Sequence, residues 1–163
     1  KDKRYNMETL VPAAEMASLA EANEVIKLEK LLKSDDPAIR YWAATGFFQL
    51  AKKNKISNMP DLVRQRLNNA TENDDVRLMC AGALLYSNKP GNALDIAFQM
   101  FKAKKPWAYA LFQNIGDKAK PLMPEILKIY NQGVKNFEVR SALINGGAIP
   151  YQQLFSRKKN SGN

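Results

Sequence analysis

Ile39, Trp42, Ala43, Gly46, Phe47 and Leu50 stand at i, i+3, i+4, i+7, i+8 and i+11, the spacing of one apolar stripe on an α-helix. Asp36 precedes the stripe as a cap for the free amides of the first turn, and Pro37 gives up a donor that has no partner there. Tyr41, Ala44 and Phe48 form a second apolar line on the same segment. Apolar on two sides, this helix is predicted to pack between neighbours rather than lie on a surface.

The rest of the chain alternates similar stripes with short polar turns. Met7, Leu10, Val11, Ala14 and Ala17 predict a first helix from Asn6 to about Leu19; Pro12 lies inside it, and a start near Pro12 or a bend there is the alternative. Asn23 is a candidate cap for a second, carried by Val25, Leu28, Leu31 and Leu32 as far as Lys33. After the central helix come Met59, Leu62, Val63, Leu67 and Ala70, with Pro60 in the first turn, and then the polar turn Thr71-Glu72-Asn73-Asp74. Leu94, Ala97, Phe98 and Phe101 predict a helix ending near Ala103, and Trp107 to Ile115 a shorter one closed by Gly116, with Lys105 at its basic position. Leu122, Met123, Ile126, Leu127 and Tyr130 follow, with Pro121 and Pro124 near the first turn, where lost donors cost least. Tyr151, Leu154 and Phe155 can dock on the last helix.

One unit recurs. Val76, Arg77, Met79, Cys80, Ala83 and Leu84 stand 37 residues after Ile39, Arg40, Trp42, Ala43, Gly46 and Phe47, so stripe and arginine keep register together. Phe137 to Ile144, with Arg140, carries the unit a last time before Asn145-Gly146-Gly147 and Pro150. Helix pairs at a period of roughly thirty to forty residues match stacked repeats of HEAT or armadillo type. The predicted fold is all-α, a short right-handed α-solenoid over residues 6–155, with a linker at 1–5 and a disordered basic tail at 156–163. A four-helix bundle would need fewer, longer helices and no arginine recurring shortly after an acidic residue at a helix start.

Composition adds mainly exclusions. The 163 residues carry a formal charge of +9, but the four residues at the start hold +2 of it and Arg157, Lys158 and Lys159 hold +3. Basic ends of this kind read as solubilising before they read as polyanion-binding arms. No apolar run approaches the twenty residues of a membrane span. The chain opens Lys1-Asp2-Lys3-Arg4 without an initiator Met or a signal peptide, and is read as a piece of a longer product. Histidine is absent, which removes the commonest general base and metal ligand, and a single Cys80 on an apolar stripe reads as a small buried hydrophobe.

Candidate sites are few. Arg40, Arg77 and Arg140 recur at one repeat position, where each can pair with a carboxylate or carbonyl of the adjacent repeat; a row of cations for phosphate or sulfate is the weaker reading. Among Tyr41, Trp42, Trp107 and Tyr109, Trp42 belongs to the core stripe. Trp107, after a proline at a helix start, is the better exposed ring, and Trp107 and Tyr109 are the candidate binding surface. Asp35/Asp36 and Asp74/Asp75 sit at helix starts, where capping and the macrodipole explain them. No phosphate loop, nucleophile elbow or metal-spaced cluster occurs. No catalytic residue, cofactor-binding residue or metal ligand is assigned, and no enzyme activity is expected of this chain itself.

The phrase Asp35-Asp36-Pro37-Ala38-Ile39-Arg40-Tyr41-Trp42-Ala43-Ala44-Thr45-Gly46 resembles the helical, HEAT-like C-terminal regions of bacterial sulfatases. Met7-Glu8-Thr9-Leu10 with Ala13 to Ala17, and Ile115-Gly116-Asp117-Lys118-Ala119-Lys120-Pro121, resemble their lead-in helix and their Gly-x-x-Ala-x-Pro turn. The resemblance implies a periplasmic or exported parent that cleaves sulfate esters with formylglycine and calcium, in a catalytic domain of the same polypeptide. Cys80-Ala81-Gly82-Ala83-Leu84 departs from the C/S-x-P-x-R motif at both the Pro and the Arg, so no catalytic residue carries over. The expected role is a monomeric accessory module that packs on the catalytic domain or aids access of a sulfated glycan. The alternatives are a stand-alone protein-interaction scaffold and, weaker because the body of the chain holds only +4, a basic HEAT-like nucleic-acid-binding module.

Overall fold

The computed structural model describes residues 6–134 and 137–150; the linker at 1–5, the tail at 156–163 and the docking residues Tyr151, Leu154 and Phe155 lie outside the described residues. All regular secondary structure among the described residues is helical, without strands, as the periodicity predicts. The helices are α1 (Met7–Leu19), α2 (Val25–Leu31), α3 (Pro37–Lys52), α4 (Asp61–Asn68), α5 (Asp74–Leu85), α6 (Ala93–Lys102), α7 (Pro106–Ile115), α8 (Met123–Asn131) and α9 (Phe137–Asn145). Short 3-10 segments, Ala22–Glu24 and Gly116–Leu122, lead into α2 and α8. The chain divides between Ala108 and Tyr109 into two compact units.

In the first unit α3 packs on α1 and α5, with α2 also against it, while α4 and α6 pack on α5. The 37-residue sequence repeat is matched in the capping. Asp36 accepts a hydrogen bond from the Ala38 amide at 2.8 Å, and Asn73 accepts one from the Asp75 amide at 2.9 Å. Each cap contributes about 1 kcal/mol and fixes where its helix begins.

Both apolar lines of α3 are buried, through Ile39, Ala43, Gly46, Phe47 and Leu50 on one side and Ala44 and Phe48 on the other. Gly46 marks the closest approach: a Cβ there would stand 2.7 Å and 3.0 Å from the two Cδ atoms of Leu28, a side chain with no exposure.

Helix ends share a device that sequence reading found only in part. After α3, α6, α8 and α9, residues Asn54, Lys104, Gly133 and Gly147 take positive φ, and the next amide reaches back to the carbonyl of Leu50, Met100, Ile129 or Leu143. Glycine and asparagine adopt that conformation readily; Lys104, at φ 58°, does so at a cost of about 1 kcal/mol.

α1 runs Met7–Leu19 with Pro12 inside it, close to the predicted span. Three local expectations are corrected. Asn23 lies within the 3-10 turn rather than capping α2, which has no side-chain cap. Pro121 falls in the second 3-10 segment, so that only Pro124 stands in the first turn of α8. On α1 the buried positions are the alanines Ala13 and Ala17, whereas Met7 and Val11 are exposed, because the small residues are the ones pressed against α3.

The second unit is built around α8 and α9 and the 3-10 segment before them. Leu111, Phe112, Ile115, Met123, Ile126, Val139 and Leu143 are among its buried apolar residues. Gly146 lies under the Met123 side chain, where no Cβ fits without displacing it.

The polar centre of the first unit is Glu72, whose side chain is 1% exposed. Arg40 donates to it from α3 at 2.6 Å and Arg66 from α4 at 3.0 Å, and the Asn73 amide donates at 2.8 Å. Burial is the largest single influence on Glu72 and opposes its charge. The hydrogen bonds from Arg40 and Asn73, with the charges of Arg40 and Arg66, together outweigh it and hold the carboxyl below its usual 4.5. The folded state therefore binds this proton less tightly than the unfolded chain does. The stabilisation is fully present above the ordinary glutamate value and is lost as pH falls from there through the lowered folded value.

Glu72→Gln is expected to cost about 3 kcal/mol in urea denaturation at neutral pH. Its deficit relative to the parent chain should shrink in acid, where the parent's Glu72 is itself protonated. Gly46→Val should cost about 2 kcal/mol through overpacking against Leu28. Gly46→Ala should lie closer to neutral, because about 1 kcal/mol of helix propensity offsets the contact.

Candidate functional site

The starts of α3 and α5 lie close enough for an open cleft of about 500 Å³ to form between them. The α3 side supplies Asp36, Pro37, Tyr41 and Trp42, and the α5 side supplies Asn73 and Asp75. Trp107, at the start of α7, completes the wall with half of its surface exposed. Tyr41 and Trp42 meet edge to face, with ring centroids 5.3 Å apart.

Trp42 is thus half-buried and lines the cleft, where the stripe had put it in the core. The reason is that the first turns of α3 and α5 leave an open cleft between them, and Trp42 stands in its wall. Trp107 is exposed, as its position after a proline suggested, whereas Tyr109 belongs to the second unit, where burial raises the pKa of its phenol. The structure therefore brings together Trp107, Trp42 and Tyr41, and leaves Tyr109 out of the cleft.

The charges in the cleft wall are carboxylates. Asp36 spends one oxygen on the Ala38 amide. The Asp75 carboxylate receives no hydrogen bond from the described residues; burial, then the neighbouring Asp74, push its pKa up, with Lys105 opposing. Lys105 is held by Asp74 at 2.6 Å, so the nearest cation is already paired. This acid-and-aromatic arrangement was not read from sequence, because the two aspartates were accounted for by helix capping alone. The signal that could have found it is the repeat itself, which sets Asp36 and Asn73 at equivalent places and brings the residues after them face to face.

The three repeat arginines take different partners. Arg40 binds Glu72 and the carbonyls of Ser34 and Asp35, at 2.8 and 2.9 Å. Arg77 donates to the Leu67 carbonyl at 3.0 Å and stands 4.0 Å from Asp74. Arg140 is half-buried on α9. Glu72 was read as part of a polar turn, and its place as the shared partner of Arg40 and Arg66 was missed.

Cys80 is buried, and burial drives its thiol pKa far up, with the Glu72 charge adding to the effect and Arg66 opposing it. A thiol held neutral and covered is neither nucleophile nor ligand. Among the described residues no group of histidine, cysteine or carboxylate side chains is arranged to hold a metal ion, and no helix is long and apolar enough to cross a membrane.

Compared with protein-family models, curated proteins and solved structures, the chain shows no significant match.

Native chain is expected to leave Cys80 unmodified by dithiobis(nitrobenzoate) at mildly alkaline pH and to release one thiol equivalent once unfolded in guanidinium. Fast modification of the folded chain would show the thiol to be accessible.

Proposed function

We propose that the chain is a non-catalytic helical-repeat module of HEAT type whose work is to bind a partner. The observation that carries this reading is the repeat in three dimensions. Asp36 and Asn73 cap equivalent helices, Arg40 and Arg77 stand at equivalent places, and α3 packs on both α1 and α5. Helices stacked in a row offer surface and edges, and each new neighbour covers the last.

The free edge of that row supports the reading. On α1, Met7 is 55% and Val11 44% exposed, and Ile26 on α2 is 82% exposed. Apolar side chains left open at the end of a stack are where a further element can pack. The resemblance of Asp35–Gly46 to sulfatase helical regions would make that element a catalytic domain of the same polypeptide. A sulfated glycan gains no support from the cleft, whose carboxylates repel sulfate.

The test is site-specific cross-linking in the natural full-length protein, with benzoylphenylalanine at Val11 or, as an exposed polar control, at Lys89. Val11 is expected to give a discrete cross-link, within the polypeptide or to a partner, at several times the Lys89 yield. Equal yields at the two positions would remove the reading. The isolated chain is expected not to hydrolyse nitrophenyl sulfate.

A further inference from the structure

The cleft between the starts of α3 and α5 has a chemistry of its own. It is about 500 Å³, within the range of sites that take a small ligand or a short peptide stretch, and too large for a lone side chain. Tyr41, Trp42 and Trp107 give it aromatic walls, and neither indole N–H nor the Tyr41 hydroxyl has a partner among the described residues. Asp36 and Asp75 bring two negative charges. Against these stand the positive ends of α3 and α5, equivalent to about half a charge each. The cleft therefore keeps a net charge of about −1 in a chain that is +9 overall.

We propose that this cleft binds a lysine or arginine side chain presented on a short segment of a protein partner. This rests on the reading of the chain as a binding module. The cation pairs with the Asp75 carboxylate, which has no hydrogen bond of its own, and the indole and phenol rings attract it through their negative faces. The remaining volume takes the flanking peptide, whose carbonyls can accept from the indole and phenol donors. A neutral sugar would also stack on these rings but would leave the net charge uncompensated, and an acidic segment would be repelled.

Both tryptophans of the chain line the cleft, so intrinsic fluorescence reads its occupancy directly. The chain is titrated with acetyl-Gly-Lys-Lys-Gly-amide and its arginine counterpart, and in parallel with the glutamate counterpart and cellotetraose. The basic peptides are expected to give a saturable change that weakens with added salt, and the other two none. Asp75→Asn and Trp107→Ala, whose melting curves report that they fold, should each weaken basic-peptide binding about tenfold. Saturation by cellotetraose or the acidic peptide instead would overturn the ligand class. Unchanged binding in Asp75→Asn would overturn the role of that carboxylate. If no probe alters the fluorescence while Val11 still cross-links, the cleft assignment falls and the binding-module reading stands.

Discussion

Glu72 sits between three donors that come from three places in the chain: Arg40 on α3, Arg66 on α4 and the Asn73 amide that opens α5. A carboxylate 1% exposed is tolerated only because all three are present, since a buried charge without partners costs several kcal/mol. The requirement sets the register of α3 against α5. Arg40 is followed at once by Tyr41 and Trp42, and Glu72 by Asn73 and, two further on, Asp75. The same ion pair that locks the two helices thus faces the aromatic side of one cap toward the acidic side of the other. The cleft is a by-product of that register.

Close packing depends on small side chains at the crossings. Ala13 and Ala17 on α1 and Ala43, Ala44 and Gly46 on α3 are buried where larger residues would hold the helices apart. Larger apolar residues displaced from these crossings end on the outside, as Met7 and Val11 do. Tight stacking and an exposed apolar edge are therefore linked.

Net charge is a poor guide to the surface that matters. The chain is strongly basic in sum, yet its aromatic cleft is bounded by aspartates, and the nearest lysine, Lys105, is held by Asp74. Long-range attraction to polyanions is a property of the whole molecule, whereas recognition at a few ångströms follows the local groups.

The sequence by itself determined the helices, most of their ends, the Asp36 cap, the 37-residue repeat and the burial of Cys80. Each of these is set by neighbours within a turn or two, or by apolar periodicity, and both can be read along a chain. It did not determine that Glu72, inside Thr71-Glu72-Asn73-Asp74, is buried, because its partners Arg40 and Arg66 come from other helices. Nor did it determine that Trp42, on a core stripe, stays half open, or that Met7 and Val11 face outward while alanines face in. Lys104 in a left-handed conformation is a further case, since it lets the Lys105 amide close the end of α6 on the Met100 carbonyl and nothing about lysine favours it. Exposure depends on what stands opposite, and only the tertiary structure decided that.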